Sequence, residues 1–329
     1  GSYNNAWMDI NGNKNSVYID QVGDYNTAGG RWMNAPTGVY LEGDENQVDI
    51  DQRGNKNTSS ASVTGDENKV QHLQYGDGSG EGFNGFGTGF SEFQEGPVYE
   101  AGEQNYATTT IDEGDENIAV VFQEGNYNAA VQVISGDDNE AYTNQDGTYN
   151  SAYVAQTGWD NMVKQDQDAY HGHAGLEGDW NAAHAVQEGD ENEIFSLQFG
   201  DRNFNFLKQV GDNNIIYADQ GIKDTEHAFD NQMTYKVSGD DNEFYGQQRG
   251  SFNVMEFNLY DYTDGSDNGN IIYADQFGEQ NTMKVIVKGD YNDFIDLDQK
   301  GKYNVIEGLT SPYFYYEGDH TEEFVINQD

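Results

Sequence analysis

Over residues 114–161 the chain repeats Gly-x-x-Asn every 11 residues without a break, reading GDENIAVVFQE, GNYNAAVQVIS, GDDNEAYTNQD, GTYNSAYVAQT and GWDN. So short a period leaves room for one strand of about seven residues and one tight turn. Counted from each Asn, offsets +2, +4 and +6 are mostly small or apolar, and +6 is often Gln. Asn117 leads to Ala119, Val121 and Gln123, and Asn150 leads to Ala152, Val154 and Gln156. The odd offsets carry a different set, Ile118, Val120 and Phe122 or Ser151, Tyr153 and Ala155. This alternation predicts strands that bury every second side chain, and its fixed spacing predicts a solenoid.

The same beat opens at Gly1 and Asn4, continues through Gly12-Asn15 and Gly23-Asn26, and resumes at Gly43, Gly54 and Gly65. It breaks near 28–42, 76–101, 167–177, 221–227, 260–269 and 307–317, which are expected to be loop insertions. Within the second of these, two weak strands are expected, around Ser79 and over 88–94. Pro36, Pro97 and Pro312 all fall in insertions, as hydrogen-bonded strands require. NIIYADQ occurs at 214–220 and again at 270–276, which sets the register across the insertion between them. The expectation is about 26 strands in about 13 rungs of about 22 residues. The 329 residues thus read as a single all-β, two-strand-per-rung β-solenoid over 1–329, not as the two domains that length alone suggests.

The strands alternate in class. One class ends in Gln-x-Gly almost without fail (Gln21, Gln52, Gln74, Gln123, Gln145, Gln198, Gln220, Gln248, Gln276), and the other often ends in an aliphatic residue (Ile10, Val63, Ile134, Val237, Leu259, Val287). Turns entering the Gln class carry two acids, as at Asp44-Glu45 and Asp115-Glu116. Turns entering the other class favour an aromatic before Asn, as at Tyr3, Tyr25, Tyr127, Tyr149, Trp180, Phe252 and Tyr303. One edge is therefore acidic and the other aromatic. Equivalent residues stack about 4.8 Å apart in such a fold, so inward amides can bond up and down in ladders. The expected ladder positions are Asn15, Gln21, Asn46, Gln52, Asn117, Gln123, Asn128, Asn139, Gln145, Asn150 and Gln156. Further along they are Asn192, Gln198, Asn203, Gln209, Asn214, Gln220, Asn242, Gln248, Asn270 and Gln276.

The run Asn117-x5-Gln123-x-Gly125-x2-Asn128-x-Ala130 resembles the curlin repeat of the major curli subunits, the bacterial functional amyloids of biofilm matrix. That family's repeat is Ser-x5-Gln-x-Gly-x2-Asn-x-Ala-x3-Gln. Its second Gln is matched at Gln156, Gln187 and Gln209 and is aliphatic at Ile134, Val237 and Val287. Its Ser is mostly Asn in this chain. The resemblance implies a β-solenoid subunit exported unfolded and polymerised into extracellular, cell-surface fibres that mediate adhesion and aggregation. It also implies a nucleator and a secretion pore as partners beside further copies of the chain.

Composition narrows the alternatives. With 15 Lys+Arg against 59 Asp+Glu the net charge is -44, which excludes phosphate backbones as partners. No apolar run is long enough to span a membrane, no secretion signal is read at the start, and there is no Cys. Aromatics at 13% with a strict period argue against permanent disorder. The six His share no spacing, although His171 and His173 beside Asp166 and Asp168 have the residue types of a metal site. Carboxylates are too numerous to single out an acid–base pair, so a non-enzyme without cofactor is expected. The rival reading is a monomeric acidic solenoid, a Ca²⁺ binder or an adhesin stalk. Asp44, Asp66, Asp115, Asp137, Asp190 and Asp240 recur at one edge and have the chemistry for weakly held Ca²⁺. Ca²⁺ β-rolls, however, repeat every nine residues and carry a different motif. An ice-binding face would need repeated small outward residues.

Overall fold

Strand formation follows from the alternation. In Ile118–Asn126 the even offsets from Asn117 are buried and the odd ones half-buried, and the same pattern holds in Ala129–Ser135 on the other side of the turn. The computed structural model describes residues 2–28, 38–75, 102–103, 105–112, 114–168, 180–221, 230–260, 271–280, 282–288, 295–302, 305–307 and 324–328. These form strands and turns only. Apart from short segments that share a sheet with their neighbour, successive described strands fall alternately into two sheets, one of 14 and one of 13 strands, with every pairing parallel. A strand bonds to the strand of its own class one rung away: Ile118 pairs with Glu140 and Gln123 with Gln145, and on the other sheet Ala129 pairs with Ser151. The chain is an all-β, two-strand-per-rung β-solenoid.

The two strand classes are the two sheets. Strands with Gln21, Gln52, Gln74, Gln123, Gln145, Gln198, Gln220, Gln248 and Gln276 make the second sheet, and those with Ile10, Val63, Ile134, Val237, Leu259 and Val287 make the first. The path through each sheet runs over twelve strands among the described residues. The two strands expected within 76–101 lie outside the described residues. The rungs on either side of that segment pair directly, Thr58–Thr64 with Tyr106–Ile111 and Lys69–Tyr75 with Ile118–Asn126. Most of the other expected insertions, all three prolines and Asn270 also lie outside the described residues.

The core between the sheets is one or two side chains thick. Ala119, Val121, Ile134, Ala141, Val154 and Val163 share it with Asn, Gln, Ser and Thr, all nearly inaccessible. One large residue fits because a neighbour gives way. Tyr235 is fully buried with its hydroxyl 3.0 Å from Met255 Sδ, and a Cβ on Gly246 of the opposite sheet would collide with that hydroxyl.

Most of the described turns are Gly-x-x-Asn, with positive φ at the Gly and at the residue before Asn. At Gly136 φ is 104°, and at Asp138, just before Asn139, it is 57°. The Gly is required sterically, because a Cβ at Gly136 would strike the carbonyl of Gly158 in the next rung. The residue before Asn sits in the left-handed region although it is almost never Gly, which costs roughly 1–2 kcal/mol per site. Its N–H is fixed by the preceding rung, as Glu116 to Asp66 O and Asp138 to Asp115 O, both at 3.0 Å. The turns are therefore laddered like the strands, and those bonds offset the strain.

Gly136→Ala is expected to destabilise the folded chain by more than roughly 2 kcal/mol, since collision adds to left-handed strain. Glu116→Gly, with a relieved φ and a more flexible unfolded chain, should stay within about 1 kcal/mol of the parent. Denaturant midpoints of the soluble protein measure both.

Candidate functional site: the stacked columns and edges

The side chains with a repeated chemical role lie in columns along the solenoid axis. In the second sheet, from Gln21 to Gln220, the Gln side chain at the end of a strand donates to the Gln of the next rung. Gln21 donates to Gln52 at 2.8 Å, Gln52 to Gln74 at 2.7 Å, Gln74 to Gln123 at 2.9 Å and Gln123 to Gln145 at 2.8 Å. The column continues through Gln167, Gln198 and Gln220 to Gln248. The other N–H of each amide reaches across to the opposite sheet, as Gln123 to Tyr106 O and Gln145 to Ala129 O, both at 3.0 Å. One amide thus stitches rung to rung and sheet to sheet.

The turn Asn residues form a column in each sheet. Asn117 N–H donates to Asn68 Oδ1 at 2.9 Å, Asn139 N–H to Asn117 Oδ1 at 3.0 Å and Asn214 N–H to Asn192 Oδ1 at 3.0 Å. Their side-chain N–H groups cap the turn Gly carbonyl one rung on, as Asn117 to Gly136 O at 2.8 Å. In the first sheet Asn128 follows Asn105, Asn150 follows Asn128 and Asn203 follows Asn181 in the same way. Asn46 bonds to Asn15 and Asn242 to Asn214. The first-sheet Gln column is short, running from Gln156 to Gln187 and Gln209 between Ile134 and Val237. Gln156 Oε1 is buried without a partner, since an aliphatic residue precedes it. Gln276 keeps its place in register with Gln248.

The six acidic-edge residues Asp44, Asp66, Asp115, Asp137, Asp190 and Asp240 line one edge, and each carboxylate accepts a backbone N–H of the rung before it. Asn13 N–H reaches Asp44 at 2.6 Å, Asp44 reaches Asp66 and Asp66 reaches Asp115 at 2.7 Å, and Asp115 reaches Asp137 at 3.0 Å. Trp159 N–H reaches Asp190 and Asp212 N–H reaches Asp240, each at 2.9 Å. Asp212 belongs to the same column and is missing from the sequence-derived set because its turn reads Asp-Asn rather than two acids. The signal that finds it is position alone, the residue after the turn Gly. Among the described residues no three His, Cys, Asp or Glu are grouped to hold a metal ion. His171 and His173 lie outside them.

At the opposite edge the residues before Asn stack. Tyr127 and Tyr149 lie 4.7 Å apart at 8°, Tyr149 and Trp180 4.3 Å apart at 16°, and Tyr3 and Tyr25 5.1 Å apart at 13°. A second stack, Phe195, Tyr217 and Tyr245, runs along the outer face of the second sheet, with the Lys164 ammonium 5.5 Å from the Phe195 ring.

One buried titratable group was not singled out by the repeat. His72 sits at the inward +4 offset, fully buried, with Nδ1 2.6 Å from Ser59 Oγ and Nε2 2.7 Å from Thr109 Oγ1. Thr109 donates onward to Gln132 Oε1 at 3.1 Å, so its oxygen accepts from Nε2–H and the Ser59 hydroxyl donates to Nδ1. Burial lowers the His72 pKa from 6.5 to about 3. Its neutral form is the folded form. The contribution of His72 to stability is therefore complete above about pH 6.5 and is lost as pH falls toward 3, at about 1.4 kcal/mol per pH unit. Gln already fills this offset at Gln132 and Gln165. His72→Gln should accordingly flatten the fall in unfolding free energy between pH 6.5 and 4 by about that slope, as read from denaturant titrations.

Asp→Asn at 44, 66, 115 and 137 together keeps an oxygen for each backbone N–H and removes four stacked charges. Neighbouring carboxylates about 5 Å apart repel by about 1–3 kcal/mol, so the variant should remain folded and associate faster, with a weaker salt dependence. Asp→Ala at the same positions should destabilise the edge. Light scattering in Na⁺ and in Ca²⁺ at matched ionic strength separates plain screening from coordination.

Residues 43–76 and 136–168 match the family model of the curlin-associated repeat. Each match covers three strands, two of the second sheet around one of the first. No curated protein matched the chain. The curlin-associated repeat thus occurs in two separate parts of the solenoid.

Proposed function

We propose that the chain is a structural subunit that assembles head-to-tail into curli-type amyloid fibres outside the cell, as part of a biofilm matrix that mediates adhesion and aggregation. The curlin-associated repeats support the class, and the polarity of the amide columns supports the mode of assembly. A nucleator and a secretion pore belong to the same reading as further partners.

The observation that carries it is the one-way Gln column. At every step the lower-numbered amide donates and the higher-numbered one accepts. Ser16–Val22 is the last strand of the second sheet among the described residues, and there the column presents the acceptor Gln21 Oε1. At the other end of the sheet Gln276, Gln299 and Gln328 continue the register. A second copy placed head-to-tail sets Gln328 in line with Gln21, Ile326 with Ile19 and Phe324 with Val17. Placed head-to-head, it would set acceptor against acceptor. Tyr18, Val22, Met8 and Ile10 at the open end are 61, 53, 48 and 41% exposed, which is apolar surface that such stacking would cover.

Ser16 N–H bonds to Asn46 O within the subunit, so by parallel-strand alternation the N–H groups of Val17 and Ile19 face the open edge. Ile19→Pro therefore removes an edge donor and no internal bond. The parent protein should form fibres with a meridional reflection at about 4.7–4.8 Å. The Ile19→Pro protein should fold as a monomer and block growth of parent fibres at one end when added in small amounts. A parent protein that stays folded and monomeric at high concentration for days would overturn the proposal in favour of a monomeric stalk.

A further inference from the structure

Among the described residues three pairs of tyrosines are held in parallel stacks by the rung register: Tyr3 with Tyr25, Tyr127 with Tyr149 and Tyr217 with Tyr245. Their ring centroids are 5.1, 4.7 and 4.9 Å apart and their planes 13, 8 and 8° from parallel. Neither turn pair drifts, because Tyr25 N–H bonds to Ser2 O and Tyr149 N–H to Asn126 O, each at 3.0 Å. Tyr217 and Tyr245 are direct partners in the strand register. These rings are reachable from solvent, with Tyr25, Tyr149 and Tyr217 56, 42 and 37% exposed.

We propose that these stacked pairs are sites of oxidative dityrosine cross-linking, which would tie one rung covalently to the next. One-electron oxidation of a phenol, with loss of its proton, leaves a phenoxyl radical whose spin resides on oxygen and on the ring carbons ortho to it. That spin lies in lobes perpendicular to the ring. Coupling therefore needs two rings face to face, the arrangement that the register enforces and that an edge-on pair such as Tyr75 and Phe122, at 72°, does not provide. Two such radicals join Cε to Cε. The two ortho protons then move to the phenolic oxygens, which restores both aromatic rings. The oxidant is hydrogen peroxide acting through a peroxidase: it takes the two electrons and the two phenolic protons and leaves as two waters.

The molecule contains its own controls. Tyr18 is 61% exposed and Tyr106 40%, yet their register neighbours are Asp49 for the first and Thr58 and Ala129 for the second. Exposure without stacking should leave them unlinked. Each turn link would close a loop of 22 residues, which restrains the unfolded chain and should move the unfolding transition to higher denaturant.

The test treats the folded protein with peroxidase and hydrogen peroxide and maps linked peptides by mass spectrometry, each pair lighter by two hydrogens. Tyr127–Tyr149, Tyr3–Tyr25 and Tyr217–Tyr245 links should exceed links through Tyr18 or Tyr106 at least roughly ten-fold, because held neighbours react at a high effective concentration. Their yield should not depend on protein concentration, which makes the result independent of whether fibres form. Tyr149→Phe keeps a stacked ring and should abolish only the Tyr127–Tyr149 link, with circular dichroism unchanged. Links distributed by exposure alone, or the same pattern in the chain unfolded by guanidinium, would overturn the proposal.

Discussion

A buried primary amide has two N–H donors and a carbonyl acceptor to satisfy, and leaving one unmade costs roughly 1–3 kcal/mol. In this solenoid the solution is an identical amide one rung away. Gln123 donates to Gln145 and accepts from Gln74, and spends its remaining N–H on the opposite sheet. That arrangement works only when every strand is parallel and in register, because a slip of one residue would turn the amides out and the odd offsets in. The amides therefore specify the pairing, while Ala, Val and Ile supply the burial. Where a column begins inside the structure an acceptor is orphaned, as at Gln156 Oε1. At Gln21, in the last strand of the second sheet among the described residues, the amide donates onward to Gln52.

The turns extend the same constraint to the edges. Gly is needed because successive turns pack backbone against backbone, with the carbonyl of Gly158 lying where a Cβ of Gly136 would be. The residue before Asn accepts left-handed strain in exchange for a rung-to-rung backbone bond. Its side chain then repeats along an exposed line, so the identity of that one residue decides whether the edge carries stacked rings, as at Tyr127 and Tyr149, or carboxylates, as at Glu116 and Asp138. On the acidic edge the Asp after each Gly is bonded to the backbone of the rung before it, which tethers part of the -44 charge to the fold. The repulsion within the column is then a force against association between subunits more than against folding within one.

The interior also departs from strict repetition, and each departure has a local reason. His72 occupies a position that elsewhere holds Val121 or Gln165, and its neutral ring is held between the hydroxyls of Ser59 and Thr109. Tyr235 fills the space left by Gly246 on the opposite strand. A solenoid core is shared by only two facing strands, so an enlarged residue on one can be offset by a reduced one on the other without disturbing distant rungs.

The residue order alone determined the period, the inward and outward faces, the two strand classes and the two kinds of edge. All of these are one-dimensional properties, because a strand alternates with period two and a turn needs Gly at a fixed place. The donors and acceptors of each amide were not legible there. Gln123 and Gln156 occupy the same offset, yet one is fully bonded and the other has a bare oxygen, and the difference is whether Gln74 or Ile134 stands in the rung before. Nor could the order show that the turn aspartates accept backbone N–H groups, that His72 is bracketed by Ser59 and Thr109, or that Tyr217 faces Tyr245 across an insertion. Those contacts join residues 13 to 49 positions apart, and only the stacking of rungs, with its skipped insertions, decides which of them meet.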